Sequence, residues 1–168
     1  MYRKILTSEG EYMPSYEENK QSATKLKNVG VSFCKRKINF FRDISFNGGI
    51  LSLPHLKVDN ITESSLLNLI AFERLYATTC NEVTAYAFFM DDLINTRDDI
   101  ALLRNEEIIK GLVSNENISK IFNKITKEVT LAIFMDDIVG VNNKLNAYCK
   151  KRMRRWRANF VETYLKNP

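Results

Sequence analysis

The tetrapeptide Phe-Met-Asp-Asp occurs twice, at 89–92 and at 134–137. Adjacent aspartates behind an apolar pair can hold two divalent cations, the arrangement that steadies the attacking and leaving oxygens in phosphoryl transfer. That chemistry needs the carboxylates to converge, and it needs a nucleotide-binding framework around them. The first copy falls in a helical pattern that turns Asp92 toward solvent. The second, LAIFMDDIVGV, has the apolar flanks of a metal-binding hairpin, but the chain has neither the framework nor the length. Asp91, Asp92, Asp98 and Asp99 make a further carboxylate cluster, without the glycine and spacing of a calcium loop. They read as a solvated helix end followed by first-turn acids, which the helix dipole favours. A metal-dependent enzyme built on the Asp pairs is the weakest reading of the chain. No catalytic, cofactor-binding or metal residue is assigned, and no cofactor is expected.

The second chemistry-bearing stretch is KKRMRRWR at 150–157, in which six of eight residues are Lys or Arg. Lys150, Lys151, Arg152, Arg154, Arg155 and Arg157 are the candidate contacts for an anionic surface. Three readings compete. The run is a phosphate-holding nucleic-acid footprint, a patch that sits on anionic lipid headgroups, or a solvated helix face whose Trp156 packs inward. The nucleic-acid reading ranks below the membrane reading.

The rest of the composition removes other chemistries. One histidine, His55, leaves little for His-based catalysis, and it reads as a turn or surface residue. Three widely spaced cysteines, Cys34, Cys80 and Cys149, form no metal-ligand spacing and no disulfide framework, so a reducing compartment is the simplest reading. Nucleophile elbows, phosphate loops and dinucleotide fingerprints are absent from the sequence. A chain of 168 residues with 45% hydrophobic and 27% charged content suits one globular domain with a real core. Its net charge of +5 is concentrated near the C-terminus. No apolar run approaches the roughly 20 residues of a transmembrane helix, and residues 1–20 hold no signal-peptide core. The chain as it stands is expected to be soluble and cytoplasmic.

The elements that must position these residues are mostly helices. Residues 1–20 read as a flexible lead-in, and 21–168 as one helical domain. Ser22–Leu26 starts a short helix ending near Gly30. From Ile38 the period changes to two: Ile38, Phe40, Ile44 and Phe46 alternate with Asn39, Phe41, Asp43 and Ser45, interrupted by Arg42. Asn47-Gly48-Gly49 then supplies residues tolerant of positive φ, and Ile50, Leu51 and Leu53 return, so an antiparallel β-hairpin is expected over about 42–53. Thr62 is expected to cap a helix with Leu66, Leu69, Ile70 and Tyr76 on one side. Val83, Tyr86, Ala87, Met90 and Ile94 make one narrow apolar stripe on the next, capped by Asn81 or Thr79, with Thr84, Phe88 and Asp92 pointing away. Thr96 and Asp99 form the ends of a capping box on a third helix whose apolar side is Ile100, Leu103, Ile108 and Leu112. Ser114 opens a helix with Ile118, Ile121, Phe122, Ile125 and Val129 inward. Leu131–Met135 is apolar on every side. Gly140 and Asn142-Asn143 mark an interruption, and a last helix runs from about Asn143 to Lys166 with Leu145, Cys149, Trp156 and Phe160 toward the core.

Several blocks, in order, carry a family resemblance. They are SATKLKNVGVSF (22–33), FRDISFNGGILSLPHLKVD (41–59), TESSLLNLIAFERL (62–75), VTAYAFFMDDLINT (83–96), IFNKITKEV (121–129) and LNAYCKKRMRRWRANFVETYLKNP (145–168). Across about 22–168 the chain resembles the C-terminal half of plant proteins of domain-of-unknown-function family 247, also catalogued as UPF 0481. The resemblance implies a largely helical fold and no accepted catalytic residues. Some members are linked to self-incompatibility in grasses, which implies recognition rather than catalysis. Members continue past the position of Asn167-Pro168 into a single transmembrane helix. The resemblance thus implies a truncated gene product or fragment, without the N-terminal half or the anchor. With that anchor, the basic helix would lie just before the membrane, and the positive-inside rule would keep the domain in the cytosol. The expected role is a non-enzymatic interaction or recognition domain of a membrane-associated plant protein, with no protein partner named.

Overall fold

The computed structural model describes residues 21–37, 40–76, 81–129 and 136–164. The elements run α1 (Ala23–Asn28), β1 (Ser32–Lys35), β2 (Ser45–Asn47), β3 (Ile50–Leu53), β4 (Leu56–Lys57), α2 (Thr62–Leu75), α3 (Glu82–Leu93), α4 (Arg97–Asn105), β5 (Ile109–Lys110), α5 (Asn115–Glu128) and α6 (Asp136–Tyr164). The fold is mostly α with a small β part. The expected lead-in at 1–20 and the apolar stretch 131–135 lie outside the described residues.

The core forms around α3. Its stripe of Val83, Tyr86, Ala87 and Met90 is buried as the periodicity predicts, and Ile94 beyond its end is buried too. The opposite face is buried as well: Thr84, Phe88, Phe89 and Asp91 are each no more than 4% exposed. A helix that looks amphipathic is therefore wrapped on most sides, because α2 and α5 both pack against it. Asp92 is half-buried, not turned out to solvent. The α5 stripe, Ile118, Ile121, Phe122 and Ile125, closes on it as expected, and Val129 just after the helix is buried too.

The hairpin forms, with Phe46 opposite Leu51 and Asn47 opposite Ile50. Gly48 and Gly49 take φ of 58° and 87°, which is why the turn needs them. The strand starts later than the alternation suggests. Phe40 is exposed, and Ile38 lies outside the described residues. A third strand was not foreseen: β1 pairs in parallel with β3, setting Phe33 beside Leu51. A two-stranded hairpin alone would be marginal in water, and the added strand widens its apolar side of Phe33, Phe46, Leu51 and Leu53. The pair β4–β5 is a second parallel contact, Leu56 to Ile109. It draws Ile108 out of the expected α4 stripe, beyond a turn at Glu107 with φ 59°. Leu112 is fully exposed. Gly111, at φ 130°, lies so close to β4 that a Cβ there would come 1.9 Å from the Val58 carbonyl oxygen.

Helix ends show where short-range reasoning holds and where it fails. Ser22 caps α1, Ser114 caps α5, and Thr96 with Asp99 forms the expected capping box on α4. Thr62 does not cap α2. It is the first helical residue, and its hydroxyl donates to Asp59 Oδ1 at 2.8 Å. Asn81 occupies the N-cap position of α3 without a side-chain bond, and Thr79 lies outside the described residues. The α3 amides are met from α2 instead: Glu73 accepts from Val83 N at 2.7 Å, Thr84 N at 3.0 Å and the Thr84 hydroxyl at 2.7 Å.

The expected break at Gly140 and Asn142-Asn143 is absent. α6 runs through all three positions as one helix from Asp136. A helical glycine costs only about 1 kcal/mol, and burial of Val141, Leu145 and Cys149 on one face offsets it.

Candidate functional site

The basic run lies on α6. The buried side of that helix steps through Val141, Leu145 and Cys149 at intervals of four. Three and seven residues on from Cys149, the same line reaches Arg152 and Trp156. Arg152 Nε donates to the Val29 carbonyl oxygen at 3.1 Å, at the C-terminal end of α1. Its guanidinium lies over Gly30, where a Cβ would come 2.6 Å from Nη2. One turn earlier, the Tyr148 hydroxyl donates to Gly30 O at 3.4 Å, and its ring meets Phe46 edge-on at 5.4 Å. These contacts fasten α6 to the α1–β1 turn and the hairpin.

Arg152 is thus drawn into the structure of the domain, although sequence reasoning grouped it with the other cations. All six, Lys150, Lys151, Arg152, Arg154, Arg155 and Arg157, are exposed, Arg152 while bonded to Val29. Trp156 is not in the core as expected: it is 72% exposed, and Met153 is 46% exposed. At about 1.5 Å per residue, Trp156 sits roughly 10 Å farther along the axis than Cys149. The side chain of Phe160 lies outside the described residues. At helical spacing, Lys150, Arg154 and Arg157 share one side, with Lys151 and Arg155 flanking them. Trp156 lies opposite them, and Met153 lies at the edge of the cation arc beside Arg157. This segment is a charged face backed by a short apolar one.

Asp91 and Asp92 sit in α3, and Asp136 and Asp137 open α6, so the second pair begins a helix instead of turning a hairpin. Asp98 is exposed, but Asp99 is completely buried, not a solvated first-turn acid. Its oxygens accept from Thr24 N, the Thr24 hydroxyl, Asn95 N, Thr96 N and the Thr96 hydroxyl. Burial pushes its carboxyl up, and the hydrogen bonds from Thr24 and Thr96 more than reverse this, holding it below the ordinary value. Among the described residues, no group of three or more His, Cys, Asp or Glu side chains could hold a metal ion. His55 is half-buried between β3 and β4. Cys34 is exposed; Cys149 is buried, and that burial pushes its thiol up. An open groove of about 290 Å³ between the start of α2 and α5 is lined by Asp59, Glu63, Asn117 and Lys120, a set with no nucleophile-and-base pair.

Among the described residues, no helix is long and apolar enough to cross a membrane. The family model described as plant protein of unknown function, DUF247, matches residues 6–168. A UPF0481 protein of Arabidopsis thaliana is 31% identical over 151 residues, covering 88% of this chain and 32% of the relative. A second UPF0481 protein of the same plant is 26% identical over 149 residues, covering 86% of this chain and 28% of the relative. The chain therefore spans about a third of the length of the curated relatives it matches. No solved structure matches it.

Proposed function

Because the chain belongs to DUF247, a plant family of unknown function, we propose that it is a non-enzymatic interaction domain that seats its basic helix on an anionic membrane surface. The observation that carries this reading is the end of α6. Beyond the buried Cys149, the helix exposes Lys150, Lys151, Arg154, Arg155 and Arg157 over nearly half its circumference, with Trp156 opposite them and Met153 at their edge. Such a helix lies in the plane of a lipid interface: the ammonium and guanidinium groups meet phosphates, and the indole settles at headgroup depth. Each cation near an anionic leaflet is worth about 1 kcal/mol, so five together make a usable, salt-sensitive attachment. Single-stranded nucleic acid would meet the same cations and could stack a base on Trp156, so the two readings are separated by the binding experiment below.

Flotation of the chain with vesicles tests this. Binding is expected to vesicles containing phosphatidylserine and not to neutral ones. Replacing Lys150, Lys151, Arg154, Arg155 and Arg157 by glutamine is expected to lower partitioning at least 100-fold. Arg152→Gln is expected to matter less for lipid and more for stability, because Arg152 serves Val29. A folded chain that ignores anionic vesicles, or binds them equally well without the five cations, sinks the proposal. Tight binding to DNA or RNA with a steep salt dependence would favour the nucleic-acid alternative instead.

A further inference from the structure

The outward side of α2, with its ends, carries a contiguous run of exposed apolar side chains. Ile61, Leu69, Phe72, Leu75 and Tyr76 are 43–80% exposed. At 100° per residue they fall within about a third of the helix circumference, opposite the buried Leu66 and Ile70. Phe72 and Tyr76 stack with ring centroids 4.5 Å apart, which fixes their shape as a ready-made ridge. The remaining exposed positions on this side are Ser64, Ser65, Asn68 and Ala71, so the whole face is uncharged in a chain that is 27% charged. The charges of α2 lie elsewhere. Glu63 pairs with Lys124 of α5, Glu73 is buried under α3, and Arg74 projects to the far side. Loss of charge from a contiguous apolar face is what distinguishes the centre of an interface from ordinary surface.

We infer that this face is a homodimer contact, in which α2 pairs antiparallel with α2 of a second copy across a two-fold axis near Asn68 and Leu69. Two features favour a second copy over an unlike partner. The first is symmetry. Asn68 sits at the midpoint of the stripe from Ile61 to Tyr76, and an amide both donates and accepts, so it can bond its own image across a two-fold axis. A single central Asn between apolar flanks also fixes register, as in paired helices generally. The second is size. The five side chains offer on the order of 600 Å² of exposed area, so a pair that covered all of it would bury at most roughly 1,200 Å², the lower bound for a specific interface. The net charge of +5 does not oppose the contact locally, because this face holds none of it.

Sedimentation of the full chain over a concentration series tests this. The unmodified chain is expected to pass from monomer to dimer with a dissociation constant on the order of 10 μM. Leu69→Glu and Leu69→Lys are each expected to weaken association at least 100-fold while the helical circular dichroism is kept, since the site is already exposed. Mixed one to one, they are expected to restore the dimer, because each residue faces its own counterpart near the axis. Leu75→Lys, far from the axis, should weaken the dimer alone and not be rescued by Leu69→Glu. An unmodified chain that stays monomeric at all concentrations overturns the inference and leaves the face to an unlike partner. Dimerisation unaffected by the Leu69 and Leu75 variants overturns it equally.

Discussion

Asp99→Ala is expected to lower the unfolding free energy by about 4 kcal/mol at neutral pH, measured by urea denaturation. The estimate combines two helix starts, at ~1–2 kcal/mol per lost cap, with the cost of leaving buried donors unmet. One oxygen accepts from Thr24 N at 2.7 Å and from the Thr24 hydroxyl at 2.6 Å, in the first turn of α1. The other accepts from Thr96 N and the Thr96 hydroxyl, both at 2.8 Å, and from Asn95 N at 3.2 Å. The capping box of α4 thus also holds the start of α1, 75 residues earlier in the chain. Asn keeps the shape but turns an NH₂ toward one of these donor sets, so Asp99→Asn should cost most of the same amount. The pH dependence follows from the lowered folded-state value. Both states are ionised well above the ordinary value of 3.8, and the full contribution is present there. As pH falls below that value the unfolded chain takes up its proton first, and the contribution fades until pH passes the folded value. The unmodified chain should therefore lose stability below about pH 4 more steeply than Asp99→Asn. A variant within 1 kcal/mol of the unmodified chain at pH 7 would show that Asp99 does not hold the two helices together.

Asp99 also marks the boundary of what the sequence discloses. A capping box is a local pattern over four residues, and Thr96 with Asp99 is legible on that scale. The second partner, Thr24, has no local signature, because nothing within either segment says that they meet. The α3 stripe and the α5 stripe follow from helical period alone. The outer side of α3 does not, since Thr84 and Phe88 read as surface until α2 and α5 close over them. The hairpin follows from Asn47-Gly48-Gly49 and its flanks, but β1 and the β4–β5 pair are parallel contacts between distant segments, whose short strands give no period of their own. The basic run of α6 is visible as composition. Its separation into five outward cations and one, Arg152, bonded to Val29 required the position of α1. Trp156 shows the converse: its spacing continues the core stripe, but it is 72% exposed, because helical period alone does not say how far along α6 burial extends. The uncharged face of α2 is hidden in the sequence for a similar reason: helical spacing sets Leu69 and Tyr76 close to the side of Leu66 and Ile70, but only Leu66 and Ile70 are buried. Two apolar faces on one helix look like one broad face until burial divides them.

Glu73→Ala is expected to cost about 3 kcal/mol, again by urea denaturation, through the loss of a cap supplied by a neighbouring helix. The first amides of α3 have no partners within their own helix, and Asn81 makes no side-chain bond to them. Glu73, buried in α2, spans Val83 N with one oxygen and both Thr84 N and the Thr84 hydroxyl with the other. Its negative charge also faces the positive end of α3. Glu73→Gln separates charge and geometry from mere size. It fits the same space but offers one acceptor and one donor, so either Val83 N or Thr84 N faces an NH₂ group. About 2 kcal/mol of the loss should therefore persist in Gln. Hydrogen exchange gives a local readout: the Val83 and Thr84 amides should lose protection in both variants before those in the middle of α3 do. The same bond has a consequence for the outer face. By pinning Glu73 inward beneath α3, it sets the rotation of α2 and turns Phe72 and Leu75 outward. Weaker dimerisation in Glu73→Gln, with the Leu69 face itself unaltered, is the expected result. Unchanged stability and unchanged amide protection would mean that the α3 amides are held by other groups, and that Glu73 does not fix how α2 is presented.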